Sequence, residues 1–252
     1  MTDGPQQERA QRIVIGIAAA ANRCRGILMG TAMSVYIGRV GTPFEVSLVF
    51  TVYWFGLMAF SPVAGAVADV TGRRRAVLVG TALLSTLAVL PLTIVDGVAG
   101  PLAFRGLFAV FAAGFLPVML AIVSERGGET GRGQSLGYFN SLQAVGFTAA
   151  QLLAGALLGL VAPWALYLFV AGVSAIVVLA TAFVRDPTPP ADASATLSEI
   201  TSEVRDRLFP ARGNREHLRK NGLRSLYVAV LVRNMTVLGI SSLLPVYLLS
   251  EV

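Results

Sequence analysis

The chain has 252 residues, of which 55% are hydrophobic and only 13% charged, with a formal net charge of +6. Soluble domains carry about 25% charged residues, so too little charge is present to coat a water-exposed surface of this size, and lipid must replace water over much of the chain. One cysteine, Cys24, and one histidine, His217 in a solvated run with Arg215, Arg219 and Lys220, exclude an internal disulfide and a cysteine-cluster metal site, and leave histidine catalysis without a second histidine.

The polar N-terminus is followed by an apolar run too long for a signal-peptide core and without an obvious cleavage site, so no removal is expected. A helix needs about 20 apolar residues to cross the hydrocarbon core. Seven stretches meet this, at approximately 13–37, 44–68, 76–95, 100–124, 135–160, 163–184 and 224–249. Short links punctuated by Gly41, Thr42 and Pro43, by Thr71 and Gly72, by Asp96 and Gly97, by Gly127 and Gly128, and by Ala162 and Pro163 join the first six. The alternating pattern of a barrel is absent. The expected class is an all-α integral membrane protein: a six-helix bundle over 1–184, a linker over 185–223 and a further helix over 224–252. The linker opens on Asp186-Pro187-Thr188-Pro189-Pro190. Within it, Leu197, Ile200, Val204 and Leu208 recur at helical spacing, which predicts a short amphipathic helix resting on the bundle or the lipid interface.

Basic residues set the orientation. Arg9 and Arg12, then Arg73, Arg74 and Arg75, then Arg126 and Arg132, then the run from Arg185 to Arg224 occupy alternate ends of successive helices, so they share one face. The opposite face holds only Arg39. This predicts a cytoplasmic N-terminus in the cell membrane. It assigns the positive balance to topology and to anionic lipid of the inner leaflet, and excludes nucleic acid as the reason for it.

Between the second and third stretches lies Gly65-Ala66-Val67-Ala68-Asp69-Val70-Thr71-Gly72-Arg73-Arg74-Arg75. The chain must reverse there within a few residues. Gly72 can supply a left-handed turn. Asp69 can cap the next helix or pair with an arginine. Gly65 lets a neighbour approach closely. The run resembles the G-x-L-A-D-R-x-G-R-K-x-x-L signature of the major facilitator superfamily, with Gly65, Ala68, Asp69, Gly72, Arg73 and Arg74 matching and Val70 in place of a basic residue. The resemblance implies secondary transport by alternating access between two six-helix halves. Each half would be a 3+3 inverted repeat, here the N-terminal half plus the first helix of the C-terminal one. It implies that Asp69 latches one state through a helix late in the second half. Arg105 falls where the family often has R-x-x-Q-G, although Phe108 and Ala109 replace Gln and Gly. The Gly-Pro signature of drug–proton antiporters is missing from the fifth stretch, so antiport is not assigned. A constant offset aligns residues around Asn22 and Tyr36 with residues around Arg233 and Tyr247, so the seventh stretch reads as the first again.

Arg23, Arg25, Arg105 and Arg233 fall inside apolar stretches, where an arginine costs about 2.5–3.5 kcal/mol on insertion scales. One reading is a positively lined cavity for an anionic small-molecule substrate. The other is structural, with guanidinium groups bonded to carbonyls near helix ends. Arg23 and Arg25 point about 200° apart, so they are expected to matter unequally. Gly155 and Gly159 form a small-residue pair suited to tight packing. An enzyme would need acidic or histidine clusters at membrane depth. None is seen, and no cofactor or metal is expected. Seven helices cannot close a path between two halves. The expectation is therefore an incomplete transporter that needs a C-terminal half in trans; the alternative is a non-transporting assembly partner or fragment.

Overall fold

The computed structural model describes residues 4–158, 160–187, 197–208, 225, 226, 228–233, 235 and 236. They are helical apart from short links. The helices are α1 (Pro5–Val40), α2 (Pro43–Thr71), α3 (Arg74–Leu87), α4 (Ala99–Ala112), α5 (Phe115–Leu158), α6 (Pro163–Phe183) and α7 (Leu197–Leu208). Among the described residues, five apolar helical stretches are long enough to cross a membrane, the fourth being the 60-residue run Ala99–Leu158. Straight, such a run would measure about 90 Å, three bilayer cores. It is instead folded back at Gly128, whose φ of 60° and ψ of −168° lie outside the helical region. Two crossings result, and the bundle has six.

Several boundaries differ from the hydropathy reading for local reasons. The third crossing ends α3 at Leu87 and finishes in a 3-10 turn, Leu90–Thr93, because Pro91 cannot continue the α pattern. The fourth crossing is interrupted at Ala113 and Gly114. Pro117 has no N–H to offer the Ala113 carbonyl, and Ser61 Oγ on α2 donates to that oxygen at 3.1 Å instead. The fifth crossing starts near 129 rather than 135. At the opposite end of the bundle Thr42 caps α2. Its hydroxyl accepts from Glu45 N at 3.4 Å, while Glu45 Oε2 accepts from Thr42 N at 2.7 Å, so Glu45 is committed to a capping box. Of the seventh stretch only 225, 226, 228–233, 235 and 236 are described, all helical; the rest of that stretch lies outside the described residues.

Helix α1 runs through the centre, packed mainly against α5 and α6. Its crossing with α5 is made at Gly146, where any side chain would strike the Ala20 backbone. The expected small-residue pair does not serve this purpose: Gly155 is exposed with nothing near it, and Gly159 lies outside the described residues. Two apolar clusters fill the interior. One joins Met29, Met33, Val49, Leu92, Phe108, Tyr167 and Val170. The other joins Ala19, Ala68, Leu78, Phe115, Met119, Phe139 and Val177. Between them lies a thin polar layer of Arg25, Ser85 and Ser174, all buried.

Candidate functional site: the α2–α3 loop and the buried arginines

The described parts of the four basic segments meet at one end of the bundle. Gln11 of α1 donates through Nε2 to Phe183 O at 3.0 Å and accepts from Arg185 N at 2.9 Å. Arg126, before the α5 break, donates to Arg185 O at 2.8 Å. Arg75 donates to the Ala182 carbonyl. Gly72 turns the chain here in the left-handed region, with φ 60° and ψ 13°, a conformation that disfavours a side chain with Cβ.

Asp69 is the hub of this end. Its Oδ1 accepts from Arg74 Nε at 3.1 Å and Nη2 at 2.9 Å. Arg74 Nη1 reaches across to Glu125 Oε2 at 2.7 Å and lies 4.0 Å from Asp186 Oδ1. The second oxygen, Oδ2, accepts from Arg207 Nη2 of α7 at 2.8 Å, and Arg207 Nε donates to Glu203 Oε1 at 2.9 Å. Gly65 makes room: a Cβ there would sit 2.8 Å from Arg207 Nη1 and 3.6 Å from Pro117. Partial burial works against the Arg207 charge, but its hydrogen bonds to Asp69 and Glu203 outweigh that and hold its pKa above the ordinary arginine value. Of the motif, Gly65, Asp69, Gly72 and Arg74 converge; the Arg73 side chain is exposed beside them. Asp69 does not cap α3, whose N-cap residue, Arg73, has no side-chain cap bond.

The intramembrane arginines separate into three environments. Arg25, 1% exposed, is held by Asn22 Oδ1 at 3.1 and 2.9 Å and by Ser85 Oγ at 2.9 Å. Its guanidinium lies 5.4 Å from the Phe108 ring centre. Arg105 is also 1% exposed, so it does not reach outward from its helix end as its position in the sequence allowed. It lies 4.0 Å over the Tyr53 ring and 5.8 Å from Phe108, while its Nε and Nη1 find no hydrogen-bond partner among the described residues. Tyr167 Oη and Ser174 Oγ are buried and unpartnered too. Arg23 faces the other way, half-buried, 5.9 Å over Phe147 of α5. Arg233 is exposed, and no described contact joins it to the others. Arg25 and Arg105 therefore meet around Phe108, and Arg23 and Arg233 do not join them.

The family model of the Major Facilitator Superfamily matches residues 15–252. The chain belongs to this superfamily. No curated protein matches it. The superfamily is made of transporters rather than enzymes, and a multi-pass helical membrane protein is what the fold presents.

In this superfamily member one further feature is readable from the hydropathy pattern. Gly137, Asn140, Ser141, Ala144, Thr148, Gln151 and Gly155 are all exposed on the second arm of α5. At 100° per residue they fall within an arc of about 100°. The opposite face, with Phe139, Gly146, Ala150 and Ala154, is buried against the bundle. Apolar Tyr138, Val145 and Leu152 border the polar strip on one side, and Phe147, under Arg23, on the other. The partners of the α2–α3 loop differ in how far the sequence marks them. Glu203 and Arg207 carry a visible i,i+4 signal; Glu125, Asp186 and Gln11 carry none, because they come from distant parts of the chain.

Proposed function

We propose that the chain moves a small solute across the cell membrane by alternating access, with the solute path along the polar face of α5 and the Asp69 cluster as the closure at its basic end. The observation that carries this reading is the exposed strip from Gly137 to Gly155. Asn and Gln side chains facing hydrocarbon would lose most of their hydrogen bonds to water, Asn140 keeping only the one its Oδ1 accepts from Gln143, at a cost of a few kcal/mol each. Faces meant for lipid look different here: α6 exposes Leu168, Ile176, Leu179 and Phe183. The α5 strip calls for water and a polar partner, and a second six-helix half, supplied in trans or otherwise, is the cover that fits.

Arg23 stands at the edge of this strip and favours an anionic solute; Arg25, with its hydrogen bonds satisfied inside the bundle, supports the fold. The basic end faces the cytoplasm, as positive residues favour. Exposed Arg9, Arg12 and Arg73 then meet the anionic headgroups of the inner leaflet.

The test replaces Cys24 by Ser and introduces single cysteines at Asn140, Ser141, Thr148 and Gln151, with Leu168 and Ile176 as lipid-facing controls. A membrane-impermeant thiol reagent should label the α5 positions at least several-fold faster. Equal labelling of both sets would sink the path. In a transporting assembly with a second half, Arg23→Gln should raise KM for an anionic solute more than Arg25→Lys does.

A further inference from the structure

Helix α7 belongs to the linker, in sequence between α6 and the seventh apolar stretch, yet it is packed on α2. Its contact is specific. Ile200 and Val204 are half-buried. Arg207 takes the one Asp69 oxygen that Arg74 leaves free, and does so in the space that Gly65 keeps open. Asp69 thus has one oxygen bound to the bundle and the other to the linker. Glu203, one turn earlier on α7, aligns the guanidinium from behind through Nε. Four residues of three elements have to agree for this geometry to form: Gly65 and Asp69 on α2, Arg74 on α3, and Arg207 on α7.

We propose that Arg207 is a positioning residue of the α2–α3 switch, supplied by the linker, so that the pairing state of Asp69 and the docking of α7 are one equilibrium. Any change that draws Asp69 away from Arg207 releases α7. Any pull on the linker unpairs one oxygen of Asp69. That the α2–α3 loop works as a switch rests on the transport reading; the coupling itself does not.

The contact is solvent-exposed and the ion pair worth about 0.2–1 kcal/mol, so its loss should change the docked-to-undocked ratio by roughly 1.4- to fivefold rather than unfold the chain. A nitroxide on Ser202→Cys, an exposed site on α7, in a Cys24→Ser background reads that ratio in lipid vesicles by its mobile fraction. Asp69→Asn and Arg207→Gln should both raise the mobile fraction; Arg207→Lys, which keeps the charge, should restore most of the docked signal. Salt near 1 M should mobilise the parent protein and leave Asp69→Asn unchanged, since screening acts only on an intact pair. Mobility unaffected by Asp69→Asn would overturn the proposal, and so would an Arg207→Lys variant as mobile as Arg207→Gln, which would make the contact steric. Thiol labelling of the α5 strip, run on the same variants, separates failure of this coupling from failure of the transport path.

Discussion

Arg25 and Arg74 are both partly or wholly withdrawn from water, yet they are neutralised in opposite ways. Around Arg74 stand three carboxylates, Asp69, Glu125 and Asp186, with Arg207 completing the network. Around Arg25 and Arg105 there is no carboxylate among the described contacts. Asn22, Ser85 and the ring faces of Phe108 and Tyr53 hold them. The difference teaches what each region is built for. An exposed ion-pair network is weak, screened by salt and easily exchanged. Neutral dipoles and aromatic faces in a buried layer cannot exchange partners without opening the bundle. One end of the molecule is suited to switching, and its middle to holding α1 against α3 and α4.

The largest expected effect breaks the buried layer. Arg25→Met removes three charge-assisted hydrogen bonds, takes both arginine partners from Asn22 Oδ1 and leaves Ser85 only its bond to the Ala82 carbonyl, so it should cost about 2–4 kcal/mol of stability in detergent unfolding. Arg105→Met is the control within the same layer. It forfeits only ring contacts and relieves a buried charge whose Nε and Nη1 are unbonded, so it should be within about 1 kcal/mol of the parent or more stable. Equal losses for the two would erase the distinction between a satisfied and an unsatisfied arginine.

Next comes the turn. Gly72→Leu places a Cβ at φ 60° and should cost about 1–2 kcal/mol, seen as lower folded yield, with Gly72→Asn milder because Asn tolerates that region. The smallest effect sharpens the other side of the comparison. Asp69→Asn should cost less than about 1 kcal/mol in unfolding, a difference that shrinks at high salt. A larger and salt-independent loss would mean that the network at the basic end is structural after all.

Much of this was legible beforehand. The six crossings before residue 184 followed from apolar run lengths, and the sharing of one end by Arg12, Arg74, Arg126 and Arg185 followed from their alternation. Gly72 was expected to turn left-handed and does. Other features were not legible. The apolar run through Ala113 gave no sign that Pro117 would transfer a carbonyl to Ser61. Gly155 looked like a packing residue on spacing alone, while Gly146 makes the close crossing, because which face of α5 meets α1 depends on the rotation of the helix in the bundle.

From the sequence alone come the membrane, the number of crossings in the first 184 residues, the basic end and the α2–α3 motif. These depend on composition over lengths set by bilayer thickness and on local backbone rules, which neighbours in space hardly alter. Only the tertiary structure decided that Arg25 bonds Ser85 sixty residues away, that Arg105 lies on Tyr53, and that Arg207 shares Asp69 with Arg74. A guanidinium reaches several ångströms in any direction around its helix. Its partner is therefore chosen by how the helices are rotated and packed, and no spacing along one segment encodes that choice.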